Sequence, residues 1–390
     1  MSVRKRTWEN RDGSQGASWI VNYADQGGTR RMKSFELKRD ADAFHATVNV
    51  DVRRGLHVPD SQSITVAEAA GLWLNSCTAL ERATRVQYQS HVDLHIVPLI
   101  GAVKLSQFTL PMARAFKDRL AKDRSPAMVR KVLTSLSSIL ADAQESGHVA
   151  QNVVAVLRSR RHRRGGGHDQ NHGRKAIEIG VEIPTPKEIG ALIAALDRNP
   201  HWRPLILTAA LTGLRASELR GLPWKNVDLK RGELHVRQRA DRYGVIGAPK
   251  TRAGRRTVPL PPRLVSILRE WRLACPNSDL DLVFPSSRGG IRKLSGIVES
   301  DLIPAWVAAG VVTRTGAAKY TGMHALRHFY ASWCINRKDD GGLELPAKMV
   351  QQRLGHASIT ITMDRYGHLF PPRDDETVRI NNAMAAVLNS

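Results

Sequence analysis

Arg215 and Glu218 stand three residues apart in Gly213-Leu214-Arg215-Ala216-Ser217-Glu218-Leu219, a spacing that would put both on one face of a helix. A surface ion pair has the same spacing, so this segment alone assigns no chemistry. Lys250 lies in Pro249-Lys250-Thr251-Arg252-Ala253-Gly254, which reads as a turn leading into the strand-like Thr257-Val258-Pro259-Leu260. In isolation it is a solvated loop. His324 and Arg327 are again three apart, on the otherwise apolar helix around Met323, Leu326 and Phe329. An imidazole and a guanidinium aimed from one face suit an oxyanion, although capping or core hydrogen bonds would employ the same residues. His356 and Tyr366 close the series, in Leu354-Gly355-His356 and Thr362-Met363-Asp364-Arg365-Tyr366. Each of these pieces is ordinary taken singly.

The elements that must position them fall into several stretches. Residues 1–57 read as a small β-rich unit. Ser18–Tyr23 alternates in strand fashion, Asp25-Gln26-Gly27-Gly28 supplies a turn, and Arg30–Phe35 forms a further strand carrying Arg30, Arg31 and Lys33. A helix from about Lys38 to Arg54 follows. The basic strand suits a DNA groove, and a solvated charged strand is the plainer reading. After a linker at Val58–Ser63, residues 64–157 are helical: Val66, Ala70, Trp73 and Leu74 recur at helical spacing, as do Val132, Leu136, Ile139 and Leu140. Ser125-Pro126 is a helix start with its cap. Residues 158–184 form a basic linker with Arg160, Arg161, Arg163 and Arg164, either a solvated tether or a strap on phosphates. Its histidines, His162, His168 and His172, sit among arginines and glycines with Asp169 the single carboxylate beside them, which argues against a metal site. Residues 185–390 make the last unit, opened by the capping box Thr185-Pro186-Lys187-Glu188, with a β-hairpin region at about 233–260 and a tail helix after Pro371-Pro372.

The 390 residues carry 59 Lys and Arg against 36 Asp and Glu, a formal charge of +23 that attracts polyanions, nucleic acid first among them. A long apolar run or an aromatic-faced amphipathic helix, which a membrane protein would want, is not seen. With 42% hydrophobic residues the chain can build real cores. Its three cysteines, Cys77, Cys275 and Cys334, have neither metal-site spacing nor an even number, and no apolar leader opens the chain. A cytoplasmic, nucleoid-associated protein is expected.

The order Arg215, Lys250, His324-x-x-Arg327, Gly355-His356, Tyr366 resembles the catalytic series of the tyrosine recombinase (phage integrase) family. The local contexts agree: Gly-Leu-Arg-x-x-Glu-Leu, His-x-Leu-Arg-His, Leu-Gly-His and Thr-x-Asp-x-Tyr. The resemblance is firm over 185–370. Over 64–157 it extends to the helical core-binding domain of that family, and over 1–57 to the arm-site DNA-binding sheet of integrases. The polar segment Asn336–Glu344 is longer than the family pattern. The resemblance implies a multidomain protein: a three-stranded sheet plus helix, an all-α core-binding domain, and a mainly-α catalytic domain with a small sheet. It also implies cutting and rejoining of DNA without metal or ATP. Tyr366 would be nucleophile, His324 its proton acceptor, and Lys250 general acid. Arg215, Arg327 and His356 would hold the phosphate, with Glu218 orienting. Implied partners are double-stranded DNA, three further copies in a tetramer, a host DNA-bending protein and an excisionase; no cofactor is implied. The tail helix would pack on a neighbouring protomer or on its own domain. A Xer-type resolvase, a type IB topoisomerase and a catalytically silent DNA-binding regulator are the alternatives.

Overall fold

The computed structural model describes residues 2–10, 12–25, 27–53, 58–157, 177–198, 201–370 and 384–385. They group into two compact units, residues 1–168 and 169–390. The linker arginines Arg160, Arg161, Arg163 and Arg164, the three linker histidines and most of the expected tail helix lie outside the described residues.

The first unit opens with an antiparallel sheet of β1 (Ser2–Glu9), β2 (Gln15–Ala24) and β3 (Arg30–Phe35), in that order. The two strands read from alternation are present. Strand β1 escaped that reading because Arg4-Lys5-Arg6 interrupts any apolar alternation. Between β2 and β3 the Asp25 carboxylate accepts from the Gly27 and Thr29 N–H groups and closes the turn. One face of the sheet packs Val21 and Tyr23 against Ala41 and Val48 of α1 (Lys38–Arg53).

Strand periodicity splits the expected basic cluster. Arg31 and Lys33 share the face that α1 covers. Arg31 is ion-paired to Asp25 at 2.9 Å, and Lys33 to Asp60 at 2.7 Å while lying 4.7 Å from the Phe44 ring centroid. Arg30 takes the opposite face, which the register shares with Arg4 and Arg6 of β1. The segment expected to be a plain linker is tied down on both sides, since Lys104 also donates to the Asp60 carbonyl at 2.5 Å.

The helices of this unit are α2 (Val66–Ser76), α3 (Arg82–His91), α4 (Leu110–Asp123) and α5 (Pro126–Glu145). Helix α3 continues through a π turn at Val92–Ile96 into Val97–Ile100. Ser125 caps α5 by accepting from the Met128 N–H, as its sequence predicts. The apolar faces meet in one core around Trp73, Ile96, Phe116, Leu136, Ile139 and Leu140.

The second unit is mainly helical: α6 (Pro186–Asp197), α7 (Arg203–Thr212), α8 (Ala216–Arg220), α9 (Pro262–Ala274), α10 (Ile303–Ala308), α11 (His324–Ile335), α12 (Ala347–Leu354) and α13 (Ile359–Tyr366). The predicted capping box at Thr185 and Glu188 forms in both directions. A small antiparallel sheet joins β4 (Val227–Asp228), β5 (Glu233–Val236) and β8 (Arg256–Pro259), and β6 (Arg239–Ala240) pairs with β7 (Ile246–Gly247). Helix α7 is buried nearly all round and packs on α11, so the segments carrying Arg215 and Arg327 hang from one rigid core. Among the described residues no helix is long and apolar enough to cross a membrane.

Candidate active site

Helix α7 ends at Gly213 in the left-handed conformation (φ 61°), which turns the chain so that Arg215 becomes the cap residue of α8. Arg215 therefore precedes the helix with extended backbone, and Glu218 reaches back to it as in a capping box. The Glu218 carboxylate accepts from the Arg215 backbone N–H at 2.9 Å and from its guanidinium at 2.9 Å. This is no surface pair, because the Glu218 side chain is 3% exposed. A second guanidinium meets it from β8: Arg256 donates to both carboxylate oxygens, at 2.8 and 3.1 Å. Burial alone would raise the Glu218 acid. The Arg256 bonds and the charges of Arg256 and Arg215 outweigh it and hold the pKa at about 2.

Arg256 went unnoticed in the sequence, where it is one of several arginines in a basic run; the structure buries it beside Val258 on the inner face of β8. It also donates to the carbonyls of Arg353 and Gly254, so β8, the Lys250 loop and the end of α12 meet at one side chain. Lys250 is exposed on that loop, between β7 and β8. The Arg256 bond to the Gly254 carbonyl ties its loop to the cluster.

Arg327 is buried on α11 and donates to two helix-end carbonyls, Gly213 O at 2.6 Å and Leu354 O at 2.5 Å. Arg215 donates to Gly355 O at 3.1 Å. Gly355 is left-handed (φ 63°) and ends α12, placing His356 in the four-residue turn before α13. There His356 Nδ1 pairs with Thr362 Oγ1 at 2.9 Å, and its ring lies parallel to Tyr366, 5° between planes and 6.4 Å between centroids.

Tyr366 ends α13 and is 1% exposed. Burial raises its pKa, and the charges of Arg327, Arg365 and Arg215 pull it back. Its hydroxyl meets Nδ1 of His328 at 2.7 Å. His324, the residue expected to accept its proton, sits one helical turn earlier, its ring centroid 6.2 Å from that of His328. Arg365 reaches Nε2 of His328 at 3.2 Å. Neither His328 nor Arg365 was singled out from the sequence. His328 does close the His-x-Leu-Arg-His motif, but no spacing rule links it to a tyrosine 38 positions on. Burial and neighbouring cations depress all three imidazoles: His356 to about 3, His328 to about 4, and His324 in the same direction. The rings are therefore neutral at pH 7.

The chain's Arg215, Glu218, His324, Arg327, His356 and Tyr366 thus come together around the ends of four helices. The guanidiniums of Arg215, Arg327 and Arg365 around the Tyr366 phenol make a region of positive potential that can hold an anionic, phosphate-like group beside a nucleophile. Among the described residues there is no cluster of His, Cys, Asp or Glu fit to hold a metal ion.

Comparison with known proteins finds similar chains. Residues 183–373 match the family model described as "Phage integrase family". A tyrosine recombinase XerC-like protein of Caldanaerobacter subterraneus subsp. tengcongensis is 25% identical over 92% of this chain and 93% of its own length. The integrase of Mycobacterium phage L5 is 26% identical over 68% of the chain and 71% of its own. Among solved structures, the Tn1549 transposon integrase in complex with a circular intermediate DNA superposes with a TM-score of 0.63, at 17% identity, over 83% of this chain and 100% of that one. A lambda integrase tetramer bound to a Holliday junction gives 0.57 at 16% identity, over 91% and 96%. Residues 183–373 are thus a domain of the phage integrase family, and the chain is similar over most of its length to a tyrosine recombinase.

Proposed function

We propose that this recombinase cuts and rejoins DNA at specific sites through a covalent bond to Tyr366. The observation that carries the reading is the Tyr366 phenol held in the field of Arg327, Arg365 and Arg215, with the His356 ring stacked on it. Tyr366 Oη attacks the scissile phosphorus, and its proton passes to neutral His324. As the Oη–P bond forms, the bond from phosphorus to the 5′-oxygen breaks, and Lys250 gives that oxygen a proton. The products are a 3′-phosphotyrosine and a 5′-hydroxyl. Arg215 and Arg327 neutralise the charge that builds on the phosphoryl oxygens, with His356 hydrogen-bonded to them and Glu218 orienting Arg215. In this scheme guanidinium groups do the work that metal ions do elsewhere, and the energy of the broken ester stays in the phosphotyrosine, so rejoining takes no ATP.

The first unit then grips DNA: residues 64–157 at the core site and the sheet of residues 1–57 at arm sites, with the linker arginines strapped along phosphates. Four copies on two duplexes complete the exchange, integrating or excising a mobile element with a host DNA-bending protein and an excisionase setting direction. The XerC-like relative, aligned over nearly the whole chain, keeps a resolvase reading as the second. A plasmid bearing two target sites separates them: intermolecular integration marks the first, and resolution restricted to directly repeated sites marks the second.

The test is a covalent trap. Wild type and Tyr366→Phe are mixed with labelled DNA flanking the protein's own gene, in EDTA and without ATP, then run under denaturing conditions. A DNA-linked band that disappears with Tyr366→Phe is expected. Tight binding without any band in the wild type would turn the assignment toward a silent DNA-binding protein.

A further inference from the structure

The donors around Tyr366 decide more than which residues are near it. Arg365 meets Nε2 of His328 at 3.2 Å, and a guanidinium can only donate. Nε2 must therefore be the lone-pair nitrogen of the ring. The groups facing His328 are Arg365 and Tyr366 from α13, His324 and Arg327 from its own helix, and Glu182 from the segment before α6. Burial, reinforced by Arg365, His324 and Arg327 against Glu182 alone, keeps the ring neutral at pH 7. A neutral ring with a bare Nε2 carries its proton on Nδ1. The 2.7 Å contact is then Nδ1–H donating to Tyr366 Oη, and not the phenol donating to histidine. Both residues are buried, so water does not compete for this bond.

We propose that His328 is a positioning residue for the nucleophile: held by Arg365 in the Nδ1–H tautomer, it donates to Tyr366 Oη, keeps the phenol ring beside His356 and stabilises the oxygen as it becomes anionic. His328 is thereby barred from being the base, because the nitrogen facing the phenol already holds a proton. The phenol proton leaves from the other side of the oxygen. This rests on Tyr366 being the nucleophile, and it adds a residue and a direction of hydrogen bonding to that reading. It also gives Arg365 a task distinct from phosphate contact, namely selecting the tautomer.

Two substitutions distinguish donation from base catalysis. His328→Asn places an amide N–H where Nδ1–H stands and offers no basic nitrogen; His328→Leu removes the donor. With labelled DNA flanking the protein's own gene, His328→Leu is expected to form the covalent complex on the order of 10²-fold more slowly, with its rate profile displaced to higher pH. His328→Asn is expected to stay within about tenfold of wild type, and filter binding to the same DNA to be unchanged in both. An Asn variant as slow as the Leu variant would make His328 the base and overturn the proposal. A Leu variant as fast as wild type, or faster, would make the contact inert or a restraint and overturn it equally. If wild type forms no covalent complex, the nucleophile assignment has failed rather than this one. The tautomer is then read without DNA, by ¹⁵N ring spectroscopy of the histidine-labelled full chain, with the His328 signal identified by its loss in His328→Asn. A neutral ring protonated at Nδ1 at pH 7 is expected; protonation at Nε2, or on both nitrogens, would refute the proposal.

Discussion

Glu218 balances one negative charge against two guanidiniums, and its energetics can be stated with a sign. Its folded pKa of about 2 lies below the 4.5 of a free glutamate, so its ionised form stabilises the folded state. That contribution, about 3 kcal/mol, is present in full above pH 4.5 and is lost as pH falls toward 2. Glu218→Gln should therefore lower thermal stability clearly at pH 7, and the gap from wild type should narrow between pH 4.5 and 2. A gap independent of pH, measured by calorimetry at both ends, would assign the cost to packing instead. At this scale the sequence was informative where family order singles out a residue, as for Arg215, Arg327, His356 and Tyr366. It was silent on Arg256, His328 and Arg365, whose partners are 38, 38 and 37 positions away and are joined to them only by the fold.

Helix ends position most of the site, and two glycines make those ends possible. A Cβ at Gly213 would run into the Tyr330 ring and would force a side chain into left-handed backbone. Gly213→Ala is expected to cost more than about 1 kcal/mol, and to slow covalent-complex formation as well, because Arg215 is aimed by that turn. A melting point lowered with cleavage unaltered would separate the turn from the aim. The α6 cap gives a milder case: Thr185→Ala should cost about 1 kcal/mol in chemical denaturation, and no measurable loss would mean that Glu188 holds the turn through Lys319 and Tyr320 alone. Caps were the most legible elements, since Ser125-Pro126 and Thr185-Pro186 state their role in adjacent residues. Strand β1 was not, because its pattern is set by pairing with β2 and by a charged outer face.

The whole molecule carries +23, and its DNA affinity should fall steeply between 50 and 200 mM salt as counterions are released. If the sheet of residues 1–57 reads DNA with its open face, Arg30→Ala should weaken binding to an arm-site duplex and flatten the salt slope. Arg31→Ala should instead act through the turn that Asp25 closes. Equal effects of the two, measured by titration at several salt concentrations, would refute that choice of face. Such a difference was beyond the sequence reading, which grouped Arg30, Arg31 and Lys33 by proximity along the chain. The second unit is held together in part by Arg327, which clasps the carbonyl ends of α7 and α12. A guanidinium has N–H groups to spare after two carbonyls are satisfied, so one side chain can fasten the frame and still face a phosphate. Lysine, a compact point charge without that fork, is no equivalent there. An Arg327→Lys enzyme that fails to cleave will have kept its charge and lost the fork, and its failure measures scaffold and phosphate contact together.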